Sequence, residues 1–235
     1  MIALGIAALG LGWLCGAGVV VGRGAPLAHA IDHVGIGVSD LDRGIAALAR
    51  TTGVTAVAGG SHPGRGTHNA LLSLGHGTYL EILAPLAGAA LDPELAGLAK
   101  LEAPTPVLWA VRSTDLDATA RRLKESGFAV GEIRAGSRAR PDGSLLKWRT
   151  LGLSGPGLEA APFFIEWDKS SPHPSQTSPA GCTLARLEVF DPDASGLTRL
   201  QKALALEVVV GTAASPGLRL TLACPKGEVV LGTSQ

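Results

Sequence analysis

Aromatic residues are scarce in this 235-residue chain, which has four Trp, four Phe and one Tyr, and Asn69 is its single asparagine. No excess of either charge exists, because 20 Lys and Arg balance 20 Asp and Glu. That removes the basic footprint a nucleic-acid binder shows, so nucleic acid is excluded as a partner. Cysteine is limited to Cys15, Cys182 and Cys224, an odd number without CxxC spacing. Neither a disulfide framework nor a zinc knuckle is therefore expected, and a reducing, cytoplasmic setting fits. No GK[ST] follows the glycine-rich stretch around residue 60, which argues against a phosphate loop. No GxSxG is present either, and covalent hydrolase chemistry loses its usual nucleophile. Glycine and proline are plentiful instead, at 32 and 15, the mark of short strands and many turns rather than a helix bundle.

Residues 2–21 are apolar or Gly throughout, with Arg23 as the first charge. Three readings of segment 1–30 stand open: a start codon placed too early, a membrane anchor through residues 2–21, or a signal peptide ending at Ala28-His29-Ala30. The last two would make the protein membrane-anchored or exported.

An internal repeat organises the remainder. Val34-Gly-Ile-Gly-Val-Ser-Asp-Leu-Asp42 is echoed by Val107-Leu-Trp-Ala-Val-Arg-Ser-Thr-Asp-Leu-Asp117 and, more briefly, by Leu187-Glu-Val-Phe-Asp-Pro-Asp193. Asp40 and Asp115 are 75 residues apart, Asp115 and Asp191 are 76. Each copy reads as a strand running into a helix, with Ser39 or Thr114 as N-cap and Asp42 or Asp117 in the first turn. Leu41, Ile45 and Leu48 fall on one helical face, as do Leu116, Ala120 and Leu123. Gly53 and Gly127 stop the helices, and three alternating runs follow each one. The pattern is β-α-β-β-β, an α+β fold in which tandem modules form a cupped mixed sheet with helices on its outer face. The modules are 31–104 and 105–180, followed by a shortened third copy over 181–235.

Strand alternation selects the candidate chemistry. Asp32, Val34, Ile36 and Val38 share one face of the first strand, while His33 faces the concave side between glycines. Glu81 takes the same concave side in its strand. In the second module alternation places Phe163, Ile165 and Trp167 outward and Phe164, Glu166 and Asp168 inside. An imidazole and two carboxylates, His33, Glu81 and Glu166, would suit a divalent ion such as Fe, Mn, Co, Ni or Zn, with a spare carboxylate moving a proton. Glu81 and Glu166 are thus the candidate catalytic residues. The bland alternative is that both are polar positions on solvated sheet faces. Arg65, His68 and Asn69 in the polar loop, with Lys147 and Arg149 in the second hairpin, are candidate substrate contacts.

Ile31-Asp-His-Val34, Gly-Thr-His-Asn-Ala-Leu over 66–71, Gly-Thr-Tyr-Leu-Glu-Ile-Leu-Ala over 77–84 and Pro-Phe-Phe-Ile-Glu-Trp-Asp over 162–168 together resemble the glyoxalase-like proteins of the vicinal oxygen chelate superfamily. The resemblance runs from Ile31 to Asp168 and more weakly to the end. It implies a metal-dependent lyase, isomerase or dioxygenase-like enzyme acting on a small oxygenated metabolite, with metal ligands on the first and fourth strand of each module. His33, Glu81 and Glu166 take three of those positions. Leu108 stands at the fourth, where the family has histidine or glutamine. That departure keeps a second reading open, a metal-free protein that sequesters a small molecule in the same cup. A homodimer is a further assembly to be considered.

Overall fold

The computed structural model describes residues 31–140 and 142–232. The N-terminal segment read as a start-codon error, anchor or signal lies outside the described residues. Among the described residues no helix is long and apolar enough to cross a membrane.

The first module consists of β1 (Ile31–Gly37), α1 (Leu41–Thr52), β2 (Val57–His62), β3 (Thr67–Ser73) and β4 (Tyr79–Pro85). A 3-10 segment, Pro93–Lys100, leads into the second module. That module has β5 (Thr105–Arg112), α2 (Leu116–Glu125), the short β6 (Ala129–Val130), β7 (Arg134–Ala139), β8 (Leu145–Leu151), the short β9 (Leu153–Ser154) and β10 (Phe163–Trp167). After α3 (Pro174–Thr177) come β11 (Thr183–Asp191), α4 (Ser195–Leu204), β12 (Val209–Thr212), β13 (Gly217–Cys224) and β14 (Gly227–Gly232).

The helices begin one residue later than the sequence suggests. Asp40 and Asp115 are the N-caps, each in extended backbone with its carboxylate accepting from the N–H three residues on. An ionised cap offsets the helix dipole more strongly than the Ser or Thr beside it. Gly53 closes α1 in the left-handed conformation that a Cβ disfavours.

Eight strands form one sheet in the order β2-β3-β4-β1-β5-β10-β8-β7. The order is two mirrored sets of four, with β1 parallel to β4 and β5 parallel to β10, joined by antiparallel β1 and β5. The seam pairs His33 with Ala110 and Gly35 with Leu108, so the two modules meet about a pseudo-twofold axis. On the convex side Val34, Ile36, Leu80 and Ile82 are fully buried beneath Leu48 of α1 and Leu116 and Leu123 of α2. Burial of each such side chain contributes roughly 1.5–3 kcal/mol.

The third copy has the expected strand-helix-strand-strand-strand content but another topology. Its order is β12-β11-β13-β14, with β11 parallel to the strand directly after its helix. Leu187, Val189, Leu218, Leu220 and Leu222 join the main core rather than extend the cup.

Cys182 and Cys224 form a disulfide, which corrects the expectation of unpaired thiols. Topology brings together two residues that sequence spacing leaves unrelated, tying the start of β11 to the end of β13. Chain-entropy reasoning for a sequence separation of 42 residues gives a stabilisation of about 4 kcal/mol. Reduction, or Cys224→Ser, is therefore expected to lower the melting temperature by roughly 8–16 °C, at 2–4 °C per kcal/mol for a chain of this size. Differential scanning calorimetry with and without reductant checks this; an unchanged melting temperature would show that the bond carries no stability.

Candidate functional site

The concave face is built from polar and aromatic side chains. A register shift between Ile31 and His33 in the β1/β5 ladder changes the alternation expected for the first strand. A bulge lets two successive residues project to one side. Ile31, Val34 and Ile36 pack on the convex core, while Asp32 and His33 both enter the cup. Asp32 therefore does not share a face with Val34, as simple period-two counting requires.

Asp32 is the electrostatic hub. Its Oδ1 is 2.9 Å from His33 Nδ1, and its Oδ2 is 3.1 Å from both Arg112 Nε and His173 Nε2. Trp167 Nε1 donates to the same carboxylate at 3.2 Å. Burial alone would push Asp32 up, yet hydrogen bonds from His173 and His33 hold it well below the usual carboxylate range. Arg112 is tied in turn to the Gly77 carbonyl.

With its Nδ1 held by Asp32, His33 directs Nε2 toward Glu81 Oε2, 3.8 Å away. Its ring stacks on Tyr79 at 4.7 Å and meets Phe163 edge-on at 5.4 Å. Tyr79 is buried, which raises its phenol well above the ordinary value and keeps it neutral. Glu81 is 9% exposed. Its Oε1 accepts from Asn69 Nδ2 at 2.5 Å and lies 3.9 Å from His62 Nε2. Burial raises its pKa, but His33, His62, the Asn69 hydrogen bond and Arg138 outweigh that and lower it, leaving an ionised carboxylate at neutral pH. The pKa of His62 is lowered as well, because burial depresses it more than Glu81 restores it, which favours the neutral imidazole.

Arg138 reaches into the same cup from β7, although its neighbours Arg134 and Arg140 do not share its burial. Space for it comes from Gly59 and Gly60 on β2, where a Cβ would collide with the Arg138 side chain. The two edge strands of the sheet thus approach each other across this side chain. At one end of the cup Leu83, Leu95 and Leu98 form a separate apolar cluster with Leu108 against it. The other end is covered by the segment carrying His173 and α3, anchored by the Ser73 N–H donating to the Pro179 carbonyl.

Among the residues expected at the site, His33, Glu81 and Asn69 come together. Glu166 does not join them. Phe163 and Trp167 point into the cup, so Phe164 and Glu166 take the convex side, the reverse of the expected parity. Glu166 Oε2 accepts from the Leu116 N–H at 2.7 Å and from Arg149 Nη2 at 2.8 Å, capping the start of α2. Arg149 bridges onward to Asp117 at 3.1 Å and is engaged on the outer surface. Lys147 is exposed on that same outer side of β8. His68 alternates with Asn69 along β3 and faces away from Glu81. Arg65 is half-exposed and pairs with Asp92 at 3.3 Å.

Eight contributors escape the candidate set: Asp32, His62, Tyr79, Arg112, Arg138, Phe163, Trp167 and His173. The Gly59-Gly60 pair, which vacates space for a long side chain, was a signal for Arg138; the bulge that turns Asp32 inward leaves none.

A divalent ion implied by this fold does not fit the donor set. Register makes Ala110 the mate of Phe163 as Gly35 is the mate of Glu81. The second module therefore presents Leu108 and Phe163 where the first presents His33 and Glu81. Leu108 packs directly over Gly35, and Asn69 occupies one oxygen of Glu81. The guanidinium of Arg138 adds positive charge to the same shell. Among the described residues no three His, Cys, Asp or Glu side chains converge as a metal site requires.

Paired modules, a shared cup and an outer layer of helices define the vicinal oxygen chelate architecture. The family model for the glyoxalase-like domain matches residues 31–205, and the chain belongs to that family. A hypothetical protein from Staphylococcus aureus has the same fold, with a TM-score of 0.65 at 13% identity over 86% of this chain and 98% of that one. Methylmalonyl-CoA epimerase from Mycobacterium tuberculosis aligns at 25% identity and a TM-score of 0.43, covering 64% of this chain and 93% of its own. No curated protein matches the chain.

Proposed function

We propose that this protein is an acid–base enzyme of the isomerase or lyase type, acting on a small oxygenated metabolite without a metal ion. The observation supporting this is the buried Glu81 carboxylate, set 3.8 Å and 3.9 Å from two imidazole Nε2 atoms. Those separations are too long for hydrogen bonds, so neither imidazole occupies the carboxylate by bonding to it. Burying an ion is costly, and structures retain such groups where their chemistry is used.

Glu81, already ionised, takes a proton from the carbon next to a substrate carbonyl. The C–H electron pair moves onto the carbonyl oxygen, and Arg138 offsets the charge that forms there. His33 returns or accepts a proton through Nε2, while Asp32 stabilises the imidazolium and fixes the ring. Tyr79 and Phe163 hold the imidazole plane and exclude water.

Solvent exchange tests this reading. A panel of small oxo and hydroxy acids is incubated with the chelator-treated protein in deuterium oxide and followed by proton NMR. The protein is expected to accelerate exchange at the carbon beside the carbonyl or carboxylate of its substrate, and Glu81→Gln to slow it by about 10²–10⁴-fold. Exchange that disappears on chelation and returns with added metal would overturn metal independence. The covered mouth at His173 and α3 favours one competing reading, a cup that only sequesters its ligand; it predicts tight binding with no exchange.

A further inference from the structure

The reacting groups of the cup are walled in. His33 and Tyr79 are each 3% exposed and Glu81 9%, so a molecule that meets them has to displace part of the wall. Most of that wall is fixed. The floor is the hydrogen-bonded sheet, Leu83, Leu95 and Leu98 pack one end, and the edge strands meet across the buried Arg138. The cover at the other end is a single segment of chain, residues 168–182, and it is held unevenly.

Both ends of this segment are tied down. The Asp168 N–H donates to the Lys147 carbonyl at 3.0 Å, and the Lys147 N–H donates to Ser171 Oγ at 2.9 Å. At the far end the Ser73 N–H donates to the Pro179 carbonyl at 2.7 Å, and Cys182 is bound to Cys224. Residues 172–178, between these anchors, bond largely to themselves. The Gln176 N–H donates to the His173 carbonyl, Ser178 Oγ to the Pro174 carbonyl, and the Ser175 N–H to His173 Nδ1. With Nδ1 accepting, Nε2 carries the proton that is donated to Asp32. Among the described residues, that is the hydrogen bond joining this span to the rest of the protein. Around it the His173 ring meets Tyr79 at 5.6 Å and Trp167 at 5.5 Å, and Pro174 is buried.

We propose that residues 172–178 are a gate, latched by His173 on Asp32, which moves out between its fixed ends to admit a small molecule to the cup. A short polar span with few outside bonds opens locally at a fraction of the cost of global unfolding. The latch can release because Asp32 does not depend on it. Arg112 Nε and Trp167 Nε1 stay on the carboxylate when His173 leaves, so no bare ion is left buried. His33 Nδ1 keeps its own oxygen, Oδ1, and the ring stays aimed at Glu81 while the gate is open. Entry of this kind is needed whether the occupant is turned over or only held, so the gate stands apart from the acid–base reading.

Hydrogen exchange on the full chain, read by NMR, tests this, with Trp167→Phe identifying the Trp167 indole signal. The Gln176 N–H reports the span, Trp167 Nε1–H the cup beneath it, and the Ser73 N–H the anchor. In wild type the first two are expected to exchange about a hundredfold or more faster than amides in β1 and β4, after correction for intrinsic rates. His173→Ala should speed both by a further ~10–100-fold, the range for losing one hydrogen bond to a charged acceptor, with Ser73, β1 and β4 unchanged. Exchange of Gln176 no faster than β1 and β4 would mean that the span opens only with global unfolding, and would overturn the gate. A Trp167 indole rate that stays put while Gln176 accelerates would overturn it too, since the span would then move without uncovering the cup. Acceleration of Ser73, β1 and β4 along with them would make His173 a prop of the whole fold rather than a latch, and the proposal would fall.

Discussion

Asp32→Ala is expected to destabilise the protein by about 3–5 kcal/mol, the range for removing one member of a buried ionic network. Four donors lose their acceptor at once: His33 Nδ1, Arg112 Nε, Trp167 Nε1 and His173 Nε2. Arg112 is left with the Gly77 carbonyl but without its counter-ion. The loss also spans four parts of the chain, because Asp32 joins β1, the end of β5, the end of β10 and the segment covering the cup. Guanidinium denaturation followed by tryptophan fluorescence measures it, with Trp167 reporting locally.

The same experiment has a defined pH signature. Asp32 and Glu81 are both held below their ordinary carboxylate values in the folded protein. A depressed folded pKa contributes stability at pH above the unfolded value, about 4, and that contribution fades as pH falls toward the folded value. Wild-type stability should therefore drop steadily below about pH 4, whereas the Asp32→Ala curve starts lower and falls less. An equally steep acid limb in both proteins would mean that Asp32 is not the main linked group.

The strand-helix transitions were legible because they repeat: Asp40 and Asp115 close similar strands at similar distances from similar glycines, and local capping chemistry sets them. His33 and Glu81 were legible for a related reason, since both lie on strands whose apolar positions alternate cleanly. Glu166 was misread because Phe163-Phe164-Ile165 offers bulky apolar residues to both faces, so period two does not say which side is the core. The strand is buried on both sides, against helix α2 and against the aromatic lining of the cup. Asp32 was hidden by a bulge, and a one-residue shift in register moves a side chain to the opposite face. Arg138 and His173 depend on contacts made after the sheet curls, which local pattern does not encode. The disulfide is of the same kind, its partners adjacent only once β11 and β13 pair.

Pseudo-symmetry yields the sharpest test of why the donor set is incomplete. If Leu108 and Phe163 occupy the mates of His33 and Glu81, then Leu108→His with Phe163→Glu should complete a four-donor shell. The double variant is expected to hold one equivalent of Zn²⁺ with micromolar affinity or better, while wild type holds none after chelation and reconstitution. Its metal-free form should be less stable by several kcal/mol, because an imidazole and a carboxylate then replace apolar side chains among buried neighbours. Metal should return that stability, since an ion binding the folded state alone shifts the unfolding equilibrium in its favour. His33→Ala in the double-variant background separates this site from adventitious surface binding, and affinity should fall at least a hundredfold. If the double variant takes up no metal although it folds, the register-based equivalence is wrong. Stoichiometric metal in wild type, lost in Glu81→Ala, would restore a metal centre to the native cup and displace the acid–base reading built on Glu81 and His33.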